Sequence, residues 1–79
     1  MKAKIRKFLE ASLARNGDLL GFDDEESLIK SRRLDSLDIM DLTLFIEEEF
    51  EIPTDIVRDE IFSLDSLNSI VAFVESKKI

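Results

Sequence analysis

The sequence predicts an all-α fold: a small bundle of three main helices and one short helix, with a long loop between helices one and two. The chain has 79 residues. At this length folding hides only about 60 to 65 per cent of the unfolded surface, so residues 1–79 are expected to form one domain with a thin core. Apolar residues recur at spacings of three and four, and no segment alternates as a strand would. The chain has no cysteine, so no disulfide framework or thiolate metal site supports the core.

Helix one is predicted from Lys2 to about Asn16, where Asn16-Gly17 is a typical helix end. Its core-facing side consists of Ile5, Phe8, Leu9, Ser12 and Leu13. Residues 17–34 lack sustained periodicity, which predicts a long connecting loop. We expect this loop to be held against the core by Leu20, Phe22, Leu28 and Ile29. In a domain this small, so long a loop is usually functional.

Helix two is predicted from the Asp-Ser-Leu triplet at residues 35–37 through Phe50, and it ends before Pro53. Asp35 is a favourable N-cap, and Asp38 three positions later resembles the acidic arm of a capping box. Acidic side chains in this first turn also suit the positive end of the helix dipole. The start of helix two is therefore the best-marked helix boundary in the chain.

Two further helices complete the bundle. Pro53 suits the start of a short third helix, from residue 54 to about residue 62. The fourth helix is predicted from residue 65 or 66 to about residue 77, and Lys77 and Lys78 complement its negative C-terminal end. The residues expected to face inward are Leu67, Ile70, Val71 and Val74, with Phe73 alongside them.

Helix two carries two apolar stripes, although a core-facing helix needs only one. The first, which we assign to the core, consists of Ile39, Leu42, Ile46 and Phe50. The second is rotated round the helix and consists of Leu37, Met40 and Leu44, flanked by Asp38, Asp41, Glu47 and Glu48. Two interpretations are open at this point. Either the core face is wide, with Leu44 and Phe45 partly covered by the long loop, or the second stripe is an apolar docking site rimmed by carboxylates.

The formal net charge of −7 argues against nucleic acid as a partner, because phosphate neutralisation requires a basic face. Residues 2–15 carry five basic side chains and one acidic side chain, whereas residues 35–60 carry ten acidic side chains and one basic. One interpretation is internal pairing between the two segments, which the charges alone favour. The other is an acidic docking face that steers basic partners.

The composition also argues against catalysis. Without histidine or cysteine the chain lacks the commonest general base, and nothing activates Ser36 as a nucleophile. Asp38 and Asp41 lie one turn apart on a face expected to be solvated, which does not suit a catalytic pair. The acidic run at residues 23–26 lacks the spacing and glycine of a calcium-binding loop. With no membrane-spanning apolar run and no signal-peptide pattern in residues 1–15, we expect a soluble, cytoplasmic domain without catalytic or metal-binding residues.

Ser36 follows the predicted N-cap of helix two and is expected at the surface, beside unpaired backbone N–H groups. A phosphate ester at this position gains from the helix dipole and from the exposed amides. The position is also typical of an ordinary serine in a first helical turn. Moreover, the triplet returns as Asp65-Ser66-Leu67, so the triplet alone does not identify a site.

The wider pattern is "LDSLDIMDLTLFIEEEFEIP", residues 34–53, which closely resembles the phosphopantetheine attachment segment of acyl carrier proteins. The matching parts are Asp35-Ser36-Leu37, Leu42, Glu48-Glu49-Phe50 and Ile52-Pro53. The resemblance covers nearly the whole chain, including its length, the long first loop, the short third helix and the closing "SLNSIVAFV". Only 12 residues follow Leu67, too few for a docking helix and the short helix beyond it. Ser66 is therefore assigned as the cap of the last helix.

The resemblance implies that a phosphopantetheinyl transferase moves 4′-phosphopantetheine from coenzyme A to Ser36, with Asp35 and Leu37 helping it to engage. The thiol of this arm would hold acyl, aminoacyl or polyketide cargo as a thioester, while the chain itself performs no bond chemistry. A loading ligase and acyl-processing enzymes with basic patches would dock on Leu37, Met40, Asp41, Leu44, Glu47 and Glu48. The carrier is expected to be a monomer.

The segment before the triplet departs from the fatty-acid type. Arg33-Leu34 stands where Gly-Ala or Gly-Ile often occurs, and the lead-in is more similar to stand-alone carriers of specialised pathways. Arg32 and Arg33 would place two positive charges beside Ser36. In the resembled family long acyl chains fold into a cleft beside helix two, which would be narrowed here by Phe45, Phe50 and Phe62. The alternative function is an unmodified acidic helical adaptor that binds one partner through the same apolar stripe.

Overall fold

In a computed structural model, which describes residues 1–77, the chain folds into four α-helices. They are α1 (Lys2–Arg15), α2 (Ser36–Phe50), α3 (Thr54–Glu60) and α4 (Leu67–Lys77), with a 3₁₀ turn over Ile61–Ser63 after α3. No strand occurs within residues 1–77. The predicted all-α bundle with one short helix is therefore confirmed.

Helix α1 ends as its Asn16-Gly17 dipeptide predicts. Gly17 has a φ of 79°, in the left-handed region that glycine adopts without steric cost. Its N–H donates to the carbonyl of Ala14 at 2.9 Å, and the N–H of Asp18 donates to the carbonyl of Leu13 at 2.9 Å. These two bonds form a Schellman motif, which satisfies the last carbonyls of α1 and turns the chain into the loop.

Helix α1 packs against both α2 and α4, and α3 packs on α2. Two ion pairs show that α1 and α2 are antiparallel: Lys4 with Glu49 at 2.8 Å, and Arg15 with Asp41 at 2.9 Å at the opposite end. The pairing of charge between these two segments is thus present. The buried core consists of Ile5, Leu9, Leu13, Leu28, Ile29, Leu34, Leu42, Ile46, Ile52, Val57, Ile61, Leu64, Leu67, Ile70, Phe73 and Val74. The residues partly buried against it are Phe8, Phe22, Ile39, Phe45, Phe50, Ile56 and Val71.

The first half of the long loop lies further from the core than predicted. Leu20 is 91% exposed, so the prediction that it packs against the core is wrong. The carboxylate of Asp18 accepts the N–H of Leu20 at 3.2 Å and also binds the guanidinium of Arg33. These bonds keep Leu20 at the surface, whereas Leu28 and Ile29 are buried as predicted.

The second half of the loop is fastened to the start of α4 by Asp65. The backbone carbonyl of Asp65 accepts the N–H of Leu28 at 2.7 Å, and its carboxylate accepts the N–H groups of Ile29 and Lys30, each at 2.8 Å. Partial burial raises the pKa of Asp65, but hydrogen bonds from the Lys30 amide, the Ser27 hydroxyl and the Ile29 amide outweigh it and hold this pKa below its ordinary value. Asp65 therefore stabilises the loop across a long sequence separation.

Helix α4 begins at Leu67, within two residues of the predicted start. Its predicted inward face is confirmed, although Val71 is only partly buried. Near its end, Lys77 lies 3.8 Å from the carboxylate of Glu60. Lys78, the other predicted helix-end cation, lies outside the described residues.

Candidate functional site

Ser36 occupies the first position of α2, immediately after the N-cap residue Asp35. Its side chain is exposed, and no residue among 1–77 forms a hydrogen bond with its hydroxyl. The predicted capping box is confirmed: Asp35 Oδ1 accepts the N–H of Asp38 at 2.9 Å, and Asp38 Oδ2 accepts the N–H of Asp35 at 3.1 Å. Two reciprocal bonds thus fix the backbone that presents Ser36, while its hydroxyl faces solvent.

Asp38 has a second role that the sequence did not indicate. We expected it on a solvated flank of helix two, and this is wrong, because the residue is only 3% exposed. Its carboxylate accepts hydrogen bonds from the side-chain amide of Asn16 at 2.5 Å and from the guanidinium of Arg15 at 3.2 Å. Asp38 therefore ties the start of α2 to the end of α1, where a partner protein cannot reach it.

Asp41, predicted to be a docking residue, also contacts α1. Its carboxylate lies 2.9 Å from the guanidinium of Arg15. The hydrogen bond to Asp41 is the main reason that the pKa of Arg15 is raised above its ordinary value. Asp38 and Asp41 thus share one guanidinium, and this charge-assisted link partly neutralises the acidic rim on the α1 side.

A shallow depression of about 500 Å³ opens beside Ser36. It is lined by Ile29, Lys30, Arg32, Leu34, Asp35, Ser36, Ile39 and Phe62. Lys30 and Arg32 bring positive charge to this depression, in a chain whose net charge is −7. Lys30 was missed from the sequence, because only the attachment of the loop to Asp65 brings it to this side of the fold.

Arg33 does not join Arg32 at this depression. Its guanidinium binds both carboxylate oxygens of Asp18, at 2.8 and 2.9 Å, and the carboxylate of Glu26 at 2.6 Å. The hydrogen bond to Asp18, followed by the one to Glu26, raises the pKa of Arg33 further above its ordinary value. The prediction of two arginine charges beside Ser36 is therefore wrong for Arg33, because the loop neutralises it.

The two apolar stripes of helix two differ in exposure as predicted. Leu42 and Ile46 are fully buried, whereas Leu37, Met40 and Leu44 are 63%, 62% and 48% exposed. A single exposed leucine is ordinary, but three large apolar side chains along one side of a helix form a patch. We call Leu37, Met40 and Leu44 the α2 strip. The interpretation that these three side chains belong to a wide core is excluded.

The acidic rim of the α2 strip is less uniform than predicted. Glu48 is exposed, as a docking rim requires. Glu47 is not fully solvated: one of its carboxylate oxygens accepts a hydrogen bond from the Thr54 hydroxyl, and Oε2 is buried without a hydrogen-bond partner among residues 1–77. Glu47 is therefore less accessible to a docking partner than Glu48, because the start of α3 lies against it.

The phenylalanines predicted to narrow a cleft lie on different sides of α2. Phe45 stacks on Phe8 of α1, with ring centroids 4.3 Å apart, and meets Phe50 edge-on at 6.0 Å. Phe45 is thus covered by α1, not by the long loop. Phe62 alone reaches the depression beside Ser36, where it is 68% exposed.

The second triplet presents no comparable serine. Ser66 is 6% exposed, and its Oγ accepts the N–H of Ser69 at 3.1 Å, which confirms the predicted cap of α4. Its hydroxyl is also hydrogen-bonded to the Ser69 hydroxyl at 2.8 Å. Leu67 is fully buried. Of the two serines, only Ser36 presents an exposed hydroxyl.

In the described part of the chain, no group of three or more acidic side chains is placed to hold a metal ion. Nor is any helix within residues 1–77 long and apolar enough to cross a membrane. No protein-family model matches the chain, and neither a curated protein nor a solved structure matches it. The geometry around Ser36 and the resemblance of residues 34–53 therefore carry the functional argument.

Proposed function

We propose that this chain is a cytoplasmic carrier protein that holds acyl or related cargo as a thioester on a 4′-phosphopantetheine arm attached to Ser36. In the attachment step, Ser36 Oγ forms a bond to the phosphorus that bears the pantetheine group of coenzyme A. The bond from that phosphorus to adenosine 3′,5′-bisphosphate breaks, and the hydroxyl proton passes to the transferase or to solvent. The chain supplies the acceptor oxygen and the docking surface, and its partners supply the catalysis.

The observation that carries this proposal is the presentation of Ser36. Its hydroxyl is exposed at the first position of α2, in a backbone held by the Asp35–Asp38 capping box. A phosphodiester on this oxygen gains from the positive end of α2 and from the charges of Lys30 and Arg32 in the adjoining depression. The absence of cysteine is compatible with this function, because the arm supplies the thiol.

The α2 strip supplies the docking surface in this proposal. Leu37 lies next to Ser36, and Met40 and Leu44 continue the exposed apolar side of the helix. Met40 suits a surface that meets several enzymes, because its flexible thioether repacks easily. Glu48, with the exposed part of Asp41, would attract basic patches on a transferase, a loading ligase or a processing enzyme. Weak docking suits a shuttle, since tight binding slows release.

Intact-mass measurement tests the proposal directly. Incubation with coenzyme A and a broad-specificity phosphopantetheinyl transferase should add the mass of one phosphopantetheine. Ser36→Ala should abolish the addition, and the matched variant Ser66→Ala should retain it. Peptide mapping should then locate the arm on Ser36; an arm within residues 63–69 would overturn the assignment.

The alternative is an unmodified acidic adaptor that binds one partner through the α2 strip, and the exposure of that strip supports both functions. The mass experiment separates them. If no mass is added by an active transferase, while Leu37→Ala abolishes capture of a partner, the adaptor function replaces the carrier function.

A further inference from the structure

Four basic side chains within residues 1–77 take no part in the ion pairs of the fold. Six others pair with carboxylates: Lys2, Lys4, Arg6, Arg15, Arg33 and Lys77. The four without an acidic partner within 4.0 Å in this part of the chain are Lys7, Lys30, Arg32 and Arg58. Two of them, Lys30 and Arg32, are exposed and line the depression beside Ser36. Unpaired cations are thus concentrated next to the proposed attachment site.

The two carboxylates nearby are bound to backbone N–H groups instead. Asp35 lines the same depression, and its Oδ1 accepts a backbone N–H of α2 at 2.9 Å. Oδ1 of Asp65 accepts the N–H groups of Ile29 and Lys30, each at 2.8 Å. Neither carboxylate forms an ion pair with the side chain of Lys30 or Arg32 within residues 1–77. The ammonium and the guanidinium therefore remain in water, available to a ligand.

Arg32 is held beside Ser36 in a backbone conformation that does not favour arginine. Its φ is 67°, in the left-handed region, which a residue with a Cβ adopts at a steric cost and glycine adopts freely. The N–H of Arg32 donates to the carbonyl of Ile29 at 3.0 Å, and the N–H of Leu34 donates to the carbonyl of Leu28 at 2.9 Å. These backbone bonds fix the turn whichever side chain residue 32 carries. The fold itself therefore does not need the guanidinium.

An exposed aromatic side chain lies at the same depression. Phe62, in the 3₁₀ turn after α3, is 68% exposed, and the buried residues Ile29 and Leu34 form part of the lining. The depression is shallow, so a protein surface fits it better than a small molecule, which binds in a concave pocket that buries most of it. Arginine and aromatic side chains are also enriched at protein interfaces. We call Lys30, Arg32 and Phe62 the basic patch.

We infer that the basic patch is a docking surface for an acidic segment of a partner protein, which places carboxylates on Lys30 and Arg32 and an apolar side chain on Phe62. The charge it selects is opposite to that selected by Glu48, further along α2. A partner that covers both regions must present acidic groups beside Ser36 and basic groups beside Glu48, which fixes its orientation. A partner with basic groups alone is repelled at the Ser36 end. This inference goes beyond the proposed function, because it requires no arm on Ser36.

Three short peptides test the inference. They share the same leucine positions, and their remaining positions carry glutamate, glutamine or lysine. Each peptide is titrated at low and high salt into the chain without an arm, whose phosphodiester would compete for the same cations, and backbone amide NMR signals are followed. The variants are Arg32→Gly, Lys30→Ala and, as the matched control, Lys7→Ala. Lys7 is also exposed and has no ion pair within residues 1–77, but it lies in the half of α1 that reaches the far end of α2 through the Lys4–Glu49 pair.

The glutamate peptide should shift the amide signals of the basic patch and of Ser36, and its affinity should fall as salt rises. Arg32→Gly and Lys30→Ala should each weaken its binding by about threefold, the loss expected for one exposed ion pair. Lys7→Ala should not change its affinity. The glutamine peptide should bind more weakly, and the lysine peptide should not bind to the basic patch. Arg32→Gly should stay folded, because glycine adopts this φ freely; thermal melts check all three variants.

Binding of the glutamate peptide that is unchanged in Arg32→Gly and Lys30→Ala, or equally weakened in Lys7→Ala, would overturn the inference. Equal binding of the glutamate and lysine peptides would also overturn it, because the charges would then select nothing. Coenzyme A alone is titrated as well: if it shifts the same amides more strongly than the glutamate peptide and loses affinity in Arg32→Gly, the basic patch is a nucleotide site and not a protein-docking surface. Arm transfer to Ser36 is measured separately by mass, so the proposed function and this inference fail independently.

Discussion

The triplets Asp35-Ser36-Leu37 and Asp65-Ser66-Leu67 both stand at a helix start, but their helices begin at different residues of the triplet. Helix α2 begins at Ser36 with Asp35 as its cap, whereas α4 begins at Leu67 with Ser66 as its cap. A step of one residue rotates a side chain by about 100° round a helix. Leu37 is accordingly 63% exposed and Leu67 is fully buried. Identical residues thus present a serine in one place and hide it in the other.

The neighbours of each triplet decide which residue becomes the cap. Asp35 has Asp38 three positions later, and the two form a reciprocal capping box. Asp65 does not act in the same way: its Oδ1 accepts the N–H groups of Ile29 and Lys30 in the loop, and the N–H of Asn68, three positions after Asp65, donates to the carbonyl of Asp24. Ser66 therefore serves as the N-cap of α4, where its Oγ accepts the N–H of Ser69. A three-residue motif identifies a site only together with the contacts of its first residue.

Truncating the two leucines should produce the largest contrast between the triplets. Leu67→Ala removes a fully buried side chain, so it should cost roughly 2 to 5 kcal/mol of unfolding free energy. Leu37→Ala should change stability by no more than about 0.5 kcal/mol, because the side chain is mostly in water. Leu37→Ala should instead slow arm transfer to Ser36. Urea titrations and transfer rates measure both; equal destabilisation would show that the α2 strip is buried.

The next largest contrast in stability is expected between the aspartates of the two triplets, Asp35 and Asp65. Asp65→Ala leaves the Ile29 and Lys30 amides without their acceptor, at a cost of roughly 1 to 3 kcal/mol. Asp35→Ala removes a helix cap, typically worth about 1 kcal/mol. Only Asp65→Ala should also speed hydrogen exchange at Ile29 and Lys30. If exchange at these two amides is unchanged in Asp65→Ala, Asp65 does not anchor the loop.

The dependence of the unfolding free energy on pH should show a second effect of Asp65. Because the folded-state pKa of Asp65 is lowered, its contribution to stability is present above the unfolded value of about 3.9 and is lost as pH falls through the lower folded value. Asp65→Asn should therefore flatten the dependence of unfolding free energy on pH below about pH 4. Asp59→Asn, an exposed position on α3, is the control. Identical acid slopes in wild type and Asp65→Asn would contradict this contribution.

The smallest expected change in stability concerns the rim beside the first triplet. Glu48→Lys alters an exposed side chain and should change unfolding free energy by no more than about 0.5 kcal/mol. It should nevertheless slow arm transfer and weaken the dependence of its rate on salt. Glu75→Lys makes the same charge change on α4. Equal rates of arm transfer for both variants across a salt series would show that Glu48 is an ordinary solvated residue with no part in docking.

Much of the fold was predictable because it depends on local chemistry. The capping box joins residues three apart, and the Schellman end of α1 requires only a glycine after the last turn. The exposed side of α2 was expected from the family resemblance, since the residue pattern alone left a wide core face and a docking strip both open. Ser36 was singled out by the wider pattern of residues 34–53, because the triplet alone also occurs at residues 65–67.

The sequence by itself determined the helices, their caps and the outward presentation of Ser36. Only the tertiary structure decided which charged side chains are buried and which groups they bind. Asp38 is buried by Asn16, 22 residues away, and Arg33 is bound by Asp18, 15 residues away. The carboxylate of Glu47 is partly shielded from solvent by the start of α3, where the Thr54 hydroxyl donates to it. The physical reason is that a charged side chain is stabilised by whichever opposite group or donor the fold brings within hydrogen-bond reach, and that partner has no fixed spacing along the chain.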